Sequence, residues 1–462
     1  MSLIKKGVLL VEPDFPYPSK SKNKADHIHK NFVPIGLLKF GSFYKAKGFK
    51  VKLVRGKKTK EDIGFTPDKI LVTSLFTYWS NYVWDSIKHY RNLFPNSEME
   101  LGGIYATLHK DNDKFKTLVN EFKINVSPGI HPEAEQYLPD YSLIPTNVDY
   151  HATHMMRGCI RRCNFCGTWR LEPERTNKKK EQIIDELVQV GKNRVIFYDN
   201  NLLANPNIKD ILRGFTDLRI KNKPVIFESQ SGFDGRLLEQ DPELAVLLKQ
   251  ASFRNVRIAW DNGVEDETSI KKQLDILTKA GYTPKAISIF MIYNFDRTYE
   301  DMLVKLGRCK KWGVQVTDCR YRPLETDYDN YSPSKRNGQS EEEYYIHKKA
   351  GWTDKKIRNF RKEVREHNIE IRYGGKYDKN LERWSTIHNT FKFFNLGRPP
   401  QMDEIKSSPL FQKRIKLLNR LKGYFQRNKI TKPDFSELTK AELDKTLNEL
   451  VEKYLPKRDK AL

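Results

Sequence analysis

The sequence has neither long apolar runs nor many cysteines, and both shortages narrow what the protein can be. The longest early apolar run, Gly7–Val11, is too short for a secretion signal or a membrane span, so we expect a buried strand there. The five cysteines are an odd number, and three of them are clustered. This pattern argues against a secreted disulfide framework and predicts a metal site in a cytoplasmic protein.

The composition is not that of a disordered or an acidic chain. Hydrophobic residues make up 38% and aromatic residues 12% of the 462 positions, which is enough for packed cores. The length predicts about two or three domains. The formal charge is +24, and residues 331–462 hold 31 basic and 18 acidic side chains. Such a charge attracts polyanions such as RNA, or it belongs to a solvated lysine-rich surface.

Alternating strand and helix patterns predict an α/β fold with three parts. Residues 1–147 contain buried apolar runs such as GVLLVEP (7–13) between amphipathic helices, which predicts a Rossmann-like, doubly wound parallel sheet. Residues 148–328 show six strand–helix units, which predicts a central partial (β/α)6 TIM-type barrel. Residues 329–462 predict a basic, mostly helical C-terminal domain. The barrel strands are expected at 152–156, 194–198, 224–228, 255–260, 286–292 and 314–319.

The clustered cysteines lie in RGCIRRCNFCGTW (157–169), directly after the first expected barrel strand. Cys159, Cys163 and Cys166 have C-x3-C-x2-C spacing, so three thiolates come from one tight loop. They can hold three irons of a [4Fe–4S] cluster and leave the fourth iron open to a chelating small molecule. We expect Gly158 and Gly167 to relieve backbone crowding at the two ends of the loop. The side chains expected to offset the negative charge are Arg157, Arg161, Arg162 and Arg170.

The same thiolates could instead bind zinc. His151 or His154 would complete a tetrahedral Cys3His site. The alternative function is therefore a nucleic-acid-binding protein with a structural zinc or iron–sulfur loop. Basic stretches with aromatic residues, FKFF (391–394) and GYFQRNK (423–429), favour it, because stacking and positive charge hold single strands. Zinc motifs more often pair their cysteines in C-x2-C arms, which favours the cluster.

On these residues the sequence resembles the radical S-adenosylmethionine (SAM) superfamily. The signature of that family is C-x3-C-x-aromatic-C, and Phe165 fills the aromatic position. The segments VIFYDNNLLANP (195–206), RIAWDNG (257–263) and IYNFDRTYED (292–301) are similar to the corresponding segments of the family. The N-terminal layout is similar to that of members with a cobalamin-binding-type domain ahead of the barrel.

The resemblance implies an enzyme that cleaves SAM reductively at a [4Fe–4S] cluster to drive radical chemistry, such as C–H activation or cobalamin-assisted methyl transfer. It implies a one-electron reductant of the flavodoxin or ferredoxin type as partner, and the charge adds RNA or another anion as candidate substrate. Relatives often carry Gly-Gly-Glu where this chain has Asp199-Asn200-Asn201. The SAM-binding residues that the resemblance implies are Phe165, Asp199, Asn200, Asn201, Glu228, Gln230, Asp261 and Asn294, and the metal ligands are Cys159, Cys163 and Cys166.

The resemblance is less specific about cobalamin. Domains that ligate cobalt through histidine carry D-x-H-x-x-G, and this sequence has no such motif. Ser74, Gly102 and Gly103 occupy positions where relatives approach the nucleotide tail. A cobalamin-binding domain and a Rossmann-like domain without cobalamin both stay open at this point.

Overall fold

The computed structural model describes residues 6–17, 32–145, 148–331, 339–374, 379–396, 409–428 and 439–454, with four single positions between them. The strands are β1 (Gly7–Glu12), β2 (Lys50–Arg55), β3 (Lys69–Ser74), β4 (Glu98–Gly103), β5 (Asn125–Ser127), β6 (His151–Thr153), β7 (Met156–Arg157), β8 (Thr176–Asn177), β9 (Arg194–Phe197), β10 (Arg219–Ile220), β11 (Lys223–Pro224), β12 (Ile226–Ser229), β13 (Arg257–Ala259), β14 (Ser288–Tyr293) and β15 (Gln315–Arg320). The first helices are α1 (Ile35–Ala46), α2 (Lys60–Ile63), α3 (Ser80–Leu93), α4 (Ile104–His109), α5 (Asp113–Glu121), α6 (Pro132–Glu135) and α7 (Thr168–Leu171). The later helices are α8 (Lys180–Val190), α9 (Ile208–Phe215), α10 (Gly235–Gln240), α11 (Glu243–Gln250), α12 (Glu267–Lys279), α13 (Tyr299–Trp312), α14 (Asp354–Tyr373), α15 (Lys379–Phe394), α16 (Pro409–Arg427) and α17 (Lys440–Tyr454).

The first five strands form one parallel sheet in the order β2-β1-β3-β4-β5. Every residue of β1 is buried, which explains why its sequence GVLLVE is almost wholly apolar. The chain changes direction across the sheet between β1 and β3, and in such sheets this point opens a crevice at the carboxyl ends of the strands. The predicted parallel α/β sheet is confirmed.

Six further parallel strands form two arcs, in the orders β12-β9-β6 and β13-β14-β15. Two isolated bridges, Phe227↔Phe253 and Phe233↔Ile258, join the arcs. On the helix side, the rings of Phe215 and Phe227 stack with centroids 4.3 Å apart. Each predicted barrel strand coincides with an observed one to within two or three residues. The strand order is that of a partial barrel, since the β/α units follow one another in chain order.

The described residues fall into two compact units: a larger one with the residues up to Pro16 and those from Phe32 to Val364, and a smaller one with Tyr17 and the residues from Arg365 onward. In the larger unit, the first sheet and the barrel share an apolar cluster that includes Leu38, Tyr150 and Ile196. The domain boundaries that we expect at residues 147 and 328 stay predictions.

The smaller unit has its own apolar core, built from α15, α16 and α17. Phe394 and Phe425 are buried in this core, at 0% and 2% exposure. These two aromatic residues therefore pack against protein and are not free to stack on bases, which corrects part of the support for single-strand binding. Among the helices of the described ranges, none is long and apolar enough to cross a bilayer.

Candidate active site

A buried carboxylate holds the start of the cysteine loop. Asp199, two residues after β9, is 0% exposed. Its oxygens accept the N–H of Met155 at 3.0 Å each, and its Oδ1 also accepts the N–H of Met156 at 2.6 Å. Burial raises the pKa of this carboxyl to about 7, against the opposing effect of the backbone donors. Asp199 thus positions the segment that leads to Cys159, and its carboxylate is not open to SAM, contrary to our expectation.

Glu172 holds the same loop from its far end. Its Oε2 accepts the N–H of Gly158 at 2.7 Å and an Nδ2–H of Asn200 at 3.0 Å, and its Oε1 accepts Nη1 of Arg157 at 2.9 Å. Gly158 has a φ of 74°, and a Cβ there would lie 2.7 Å from the Glu174 carbonyl oxygen. Only glycine suits this conformation, so the expected role of Gly158 is confirmed. Gly167 has an ordinary φ of −84°, so its backbone conformation does not require glycine.

Asn200 links Glu172 to a cysteine. Its Oδ1 accepts the hydroxyl of Thr168 at 3.1 Å, and the Thr168 Oγ1 lies 3.2 Å from Sγ of Cys166. Hydrogen bonds therefore connect Glu172 through the Asn200 amide and the Thr168 hydroxyl to Cys166, one of the predicted iron ligands. Such outer contacts orient the ligands of a metal site.

Asp234 organises the middle of the loop. This carboxylate accepts Nε of Arg161 at 2.9 Å and a bidentate pair from Arg236 at 2.7 and 3.1 Å. It also accepts Nδ2 of Asn201 at 3.2 Å. One carboxylate thus joins the cysteine loop to Asn201, in the segment after β9, and to α10.

Most of the arginines that we expected to offset the cluster charge are paired with acidic side chains. The pairs are Arg157 with Glu135 and Glu172, Arg161 with Asp234, and Arg170 with Glu325. Because carboxylates neutralise them, these arginines act mainly as a scaffold for the loop. Arg162 is exposed.

The three loop cysteines are free thiols of intermediate burial, and backbone groups point at two of the sulfurs. The N–H of Arg161 lies 3.3 Å from Sγ of Cys159, and the N–H of Thr168 lies 3.5 Å from Sγ of Cys166. Burial raises the pKa of the Cys163 thiol, and the neighbouring Asp261 raises it further. Binding to iron would supply the positive charge that this thiolate needs.

One of the two histidines that could complete a zinc site is not available to a metal. His151 is 0% exposed, and its two ring nitrogens lie 2.9 Å from the Tyr141 hydroxyl and 2.9 Å from Oε1 of Glu186. Both nitrogens therefore have protein partners, so His151 has none left for a metal. Within the described ranges, no three His, Cys, Asp or Glu side chains converge on a single metal ion.

Two of the predicted SAM-binding residues carry buried oxygens without a donor. Asn201 Oδ1 and Gln230 Oε1 have no hydrogen-bond partner within the part of the chain that the structure describes. The N–H of Gln230 donates to the Phe197 carbonyl at 2.9 Å, which fixes Gln230 at the carboxyl end of β12 beside β9. Buried acceptors without donors are costly, so these two oxygens fit a ligand that brings N–H or O–H groups.

Phe165 and Asp261 border the same rim. The Phe165 ring meets the Phe295 ring edge to face, with centroids 6.1 Å apart. Lys305 fixes the backbone on either side of Asp261, because its ammonium donates to the carbonyls of Trp260 at 2.6 Å and of Asn262 at 2.8 Å. Burial lowers the pKa of Lys305 to about 8 and raises the pKa of Asp261.

Glu228 and Asn294 do not contribute free groups to the rim, contrary to our expectation. Glu228 is 0% exposed and forms an ion pair with Arg257 between the two arcs of the barrel. Asn294 is also 0% exposed; its Nδ2 donates to the Tyr321 carbonyl at 3.3 Å and its Oδ1 accepts the N–H of His347 at 2.9 Å. Both side chains bind other parts of the protein, so we no longer expect them to bind SAM.

The glycines that suggested a cobalamin tail have a structural explanation. Gly103 has a φ of 98°, and a Cβ there would lie 2.1 Å from the carbonyl oxygen of Ser74. The Ser74 hydroxyl donates to the Gly102 carbonyl at 2.7 Å and accepts the N–H of Ala106 at 3.0 Å. These contacts explain Ser74, Gly102 and Gly103 without a ligand, and cobalamin binding stays a prediction.

The sequence did not reveal the carboxylates that hold the loop. Glu172 and Glu135 lie outside any periodic apolar pattern, and an acidic residue there looks like ordinary surface. Asp234 had one local signal, because its side chain accepts the N–H of Arg236 as the N-cap of α10. That signal locates a helix start but says nothing of the contact with Arg161.

Comparison with known protein families finds a match, and it includes the cysteine loop. Residues 153–303 match the sequence model of the radical SAM superfamily. This span contains the three cysteines and four complete barrel strands, β9, β12, β13 and β14, so this region is similar to a radical SAM domain. No curated protein sequence matches the chain.

The structural likenesses are distant. Streptococcus suis SuiB bound to precursor peptide SuiA is similar at 13% identity over 39% of this chain and 42% of that chain, with a TM-score of 0.28. Another SuiB structure is similar at 11% identity over 70% of this chain and 71% of that chain, with a TM-score of 0.31. The carboxyl transferase domain of Rhizobium etli pyruvate carboxylase with pyruvate is similar at 10% identity over 97% of this chain and 60% of that chain, with a TM-score of 0.22. The chain thus spans less than half of the first structure, and likenesses of this size establish no function.

Proposed function

We propose that the protein is a radical SAM enzyme whose Cys159, Cys163 and Cys166 hold a [4Fe–4S] cluster. The observation that carries this proposal is the cysteine loop itself, fixed by Asp199 and Glu172 at the carboxyl end of β6. When bound, the cluster and SAM supply reductive cleavage of SAM to methionine and a 5′-deoxyadenosyl radical that abstracts hydrogen from a substrate. The protein binds, orients and shields the reactants.

The loop supplies three thiolates, which would hold three irons and leave the fourth to SAM. The backbone N–H groups of Arg161 and Thr168 stabilise the thiolates of Cys159 and Cys166, because hydrogen bonds to a charged acceptor are stronger than neutral ones. This arrangement lowers the cost of holding three negative sulfurs in one turn of chain.

The rim of the barrel supplies the groups for SAM. We propose that Asn201 Oδ1 and Gln230 Oε1 accept hydrogen bonds from the ammonium and hydroxyl groups of SAM, because both oxygens are buried without donors. Phe165 offers an apolar edge for the adenine, and Asp261 offers a carboxylate close to Cys163.

We propose an anionic substrate, with single-stranded RNA as the first ligand to test. The support is the charge of residues 331–462, which hold 31 basic and 18 acidic side chains. The chemistry proposed here uses no cobalamin. A corrinoid absorbance that stays with the reconstituted protein through gel filtration would instead assign methyl transfer.

Anaerobic reconstitution with iron and sulfide tests the proposed function. We expect iron–sulfur charge-transfer absorbance, and 5′-deoxyadenosine after addition of dithionite and SAM. Cys163→Ala should abolish the second signal and weaken the first, whereas Cys309→Ala, a buried cysteine of α13, should retain both. Bound zinc with no 5′-deoxyadenosine would contradict the proposal.

A further inference from the structure

The outer surface of the cysteine loop carries an exposed aliphatic side chain. Ile160, which follows Cys159 directly, is 37% exposed. It lines a surface groove of about 360 Å³ together with Leu203 and Pro206 from the segment after β9 and with Leu237 and Leu244 from α10 and α11. The lining also includes the polar residues Asn205, Lys209, Gln240 and Asp241, so the groove is mainly apolar, and Ile160 belongs to the loop that would hold the cluster.

Arginines that neighbour the groove residues Ile160 and Leu237 in the sequence bring positive charge close to the groove. Arg162 is exposed, and no acidic side chain of the described residues forms an ion pair with it. Arg161 and Arg236 share one carboxylate, that of Asp234, so a positive charge is left over. On the opposite wall, Lys209 is neutralised by two carboxylates, those of Asp241 and Glu243. The uncompensated charge therefore lies next to Ile160.

We infer that this groove, with Ile160 and Arg162 at its edge, docks a small acidic one-electron carrier protein of the flavodoxin or ferredoxin type. The inference rests on the proposed function, in which each reductive cleavage consumes one electron. The carrier is oxidised by one electron and the cluster is reduced by one. An apolar centre with a charged rim is the usual composition of protein interfaces, and opposite charge raises the rate of encounter.

The position of Ile160 favours a carrier over other partners. A protein seated on this side chain lies one residue from Cys159 and on the outer side of the loop. The unpaired acceptors Asn201 Oδ1 and Gln230 Oε1, which we assign to SAM, lie at the barrel rim. Neither Asn201 nor Gln230 lines the groove, so a docked carrier and SAM would use different residues.

Two substitutions and two reductants test the inference on the reconstituted full-length protein. The test variants are Ile160→Ser and Arg162→Glu. The matched controls are Val188→Ser, an exposed valine of α8, and Arg219→Glu, an exposed arginine of β10. With reduced flavodoxin as donor, we expect the test variants to cleave SAM about tenfold more slowly than wild type. With dithionite, which needs no docking surface, all five proteins should have the same rate.

Binding provides a readout that is independent of turnover. Calorimetric titration of oxidised flavodoxin into each protein should give about tenfold weaker binding for Ile160→Ser and Arg162→Glu than for the controls. Wild-type binding should weaken as salt is raised, because the rim contacts are solvent-exposed.

Three outcomes would overturn the inference. Unchanged flavodoxin-driven rates and unchanged binding in both test variants would show that the carrier docks elsewhere. An equal loss with dithionite would show that Ile160 supports the cysteine loop. A wild-type dimer that Ile160→Ser converts to a monomer in sedimentation would make the groove a contact between copies. If the wild-type protein does not cleave SAM with dithionite, that result would instead contradict the proposed function.

Discussion

Three consecutive polar residues after β9 take three different roles. Asp199 is buried and binds backbone N–H groups, whereas Asn200 connects Glu172 to Thr168. Asn201 donates to Asp234 and keeps a buried oxygen without a donor. Of the three, Asn201 has the group best suited to bind SAM. Residue type alone could not separate these roles, because each depends on which donors the fold brings near.

Gly158 is the single residue whose substitution we expect to damage the loop most directly. Gly158→Ala places a Cβ at positive φ and 2.7 Å from the Glu174 carbonyl oxygen, so we expect a loss of roughly 1–3 kcal/mol in unfolding free energy. We also expect less iron bound per chain after reconstitution. Urea unfolding and iron analysis provide the measurements.

A glycine with an ordinary helical backbone is the matched control for Gly158. Gly307 lies inside α13, and a Cβ there would meet no atom within 4 Å. Gly307→Ala should therefore raise the unfolding free energy by about 0.5–1 kcal/mol. A destabilising effect of equal size at both positions would contradict the account of Gly158.

At the scale of elements, α8 holds β6, the strand that leads into the cysteine loop. Glu186 of α8 accepts Nε2 of His151 at 2.9 Å, the hydroxyl of Thr153 at 2.5 Å and the ammonium of Lys178 at 2.6 Å. Burial raises the pKa of Glu186, but the three donors have a larger, opposite effect. The pKa is therefore lowered to about 2. The carboxylate therefore stabilises the folded state wherever it is ionised.

Glu186→Gln should lower stability at neutral pH, and the difference from wild type should disappear in acid. Because the folded pKa of about 2 lies below the usual 4.5, the carboxylate contributes at most about 3 kcal/mol above pH 4.5. This contribution is lost as the pH falls from about 4.5 toward 2. Urea midpoints measured from pH 7 to pH 3 check the trend. Glu181→Gln, at an exposed position of the same helix, should show a much smaller change.

At the scale of the whole molecule, the candidate site and its supports lie in the larger unit, whereas much of the positive charge lies beyond it. Residues 375–462 hold 20 basic and 11 acidic side chains. The carboxylates that hold the loop, and the predicted cluster ligands, all lie before Val364. Residues 375–462 thus carry a net charge of +9 without any of the candidate site residues, whereas residues 1–374 carry the site and a net charge of +15.

A chain that ends at Gly374 should separate anion binding from SAM cleavage. We expect this truncated protein to cleave SAM with dithionite at the wild-type rate, because the larger unit has its own apolar core. Its binding to poly(U) should be weaker than that of the full chain and less sensitive to salt, because fewer phosphates are neutralised. Equal affinity and equal salt dependence in fluorescence titrations would show that the larger unit binds the RNA.

The sequence predicted the strands of both sheets well where they are buried on both faces. Such strands are continuous apolar runs, as in β1 and β14, and neighbouring polar segments limit their ends. The short strands β5, β7 and β10 were not predicted, because two or three residues are too few to show an alternation of apolar and polar side chains. The cysteine loop was also predictable, since its ligands follow one another within eight residues.

The supports of the site depended on tertiary structure. Asp199 reaches Met155 and Glu172 reaches Gly158 across distances in sequence that no local pattern spans. Asn294 shows the reverse case, since its place at a strand end suggested SAM and the fold gave it backbone partners. The sequence by itself determined the three thiolates and the parallel strands, because spacing and apolar periodicity are local. Only the tertiary structure decided which carboxylates hold the loop and which oxygens stay unpaired, because hydrogen-bond satisfaction depends on neighbours that folding alone brings together.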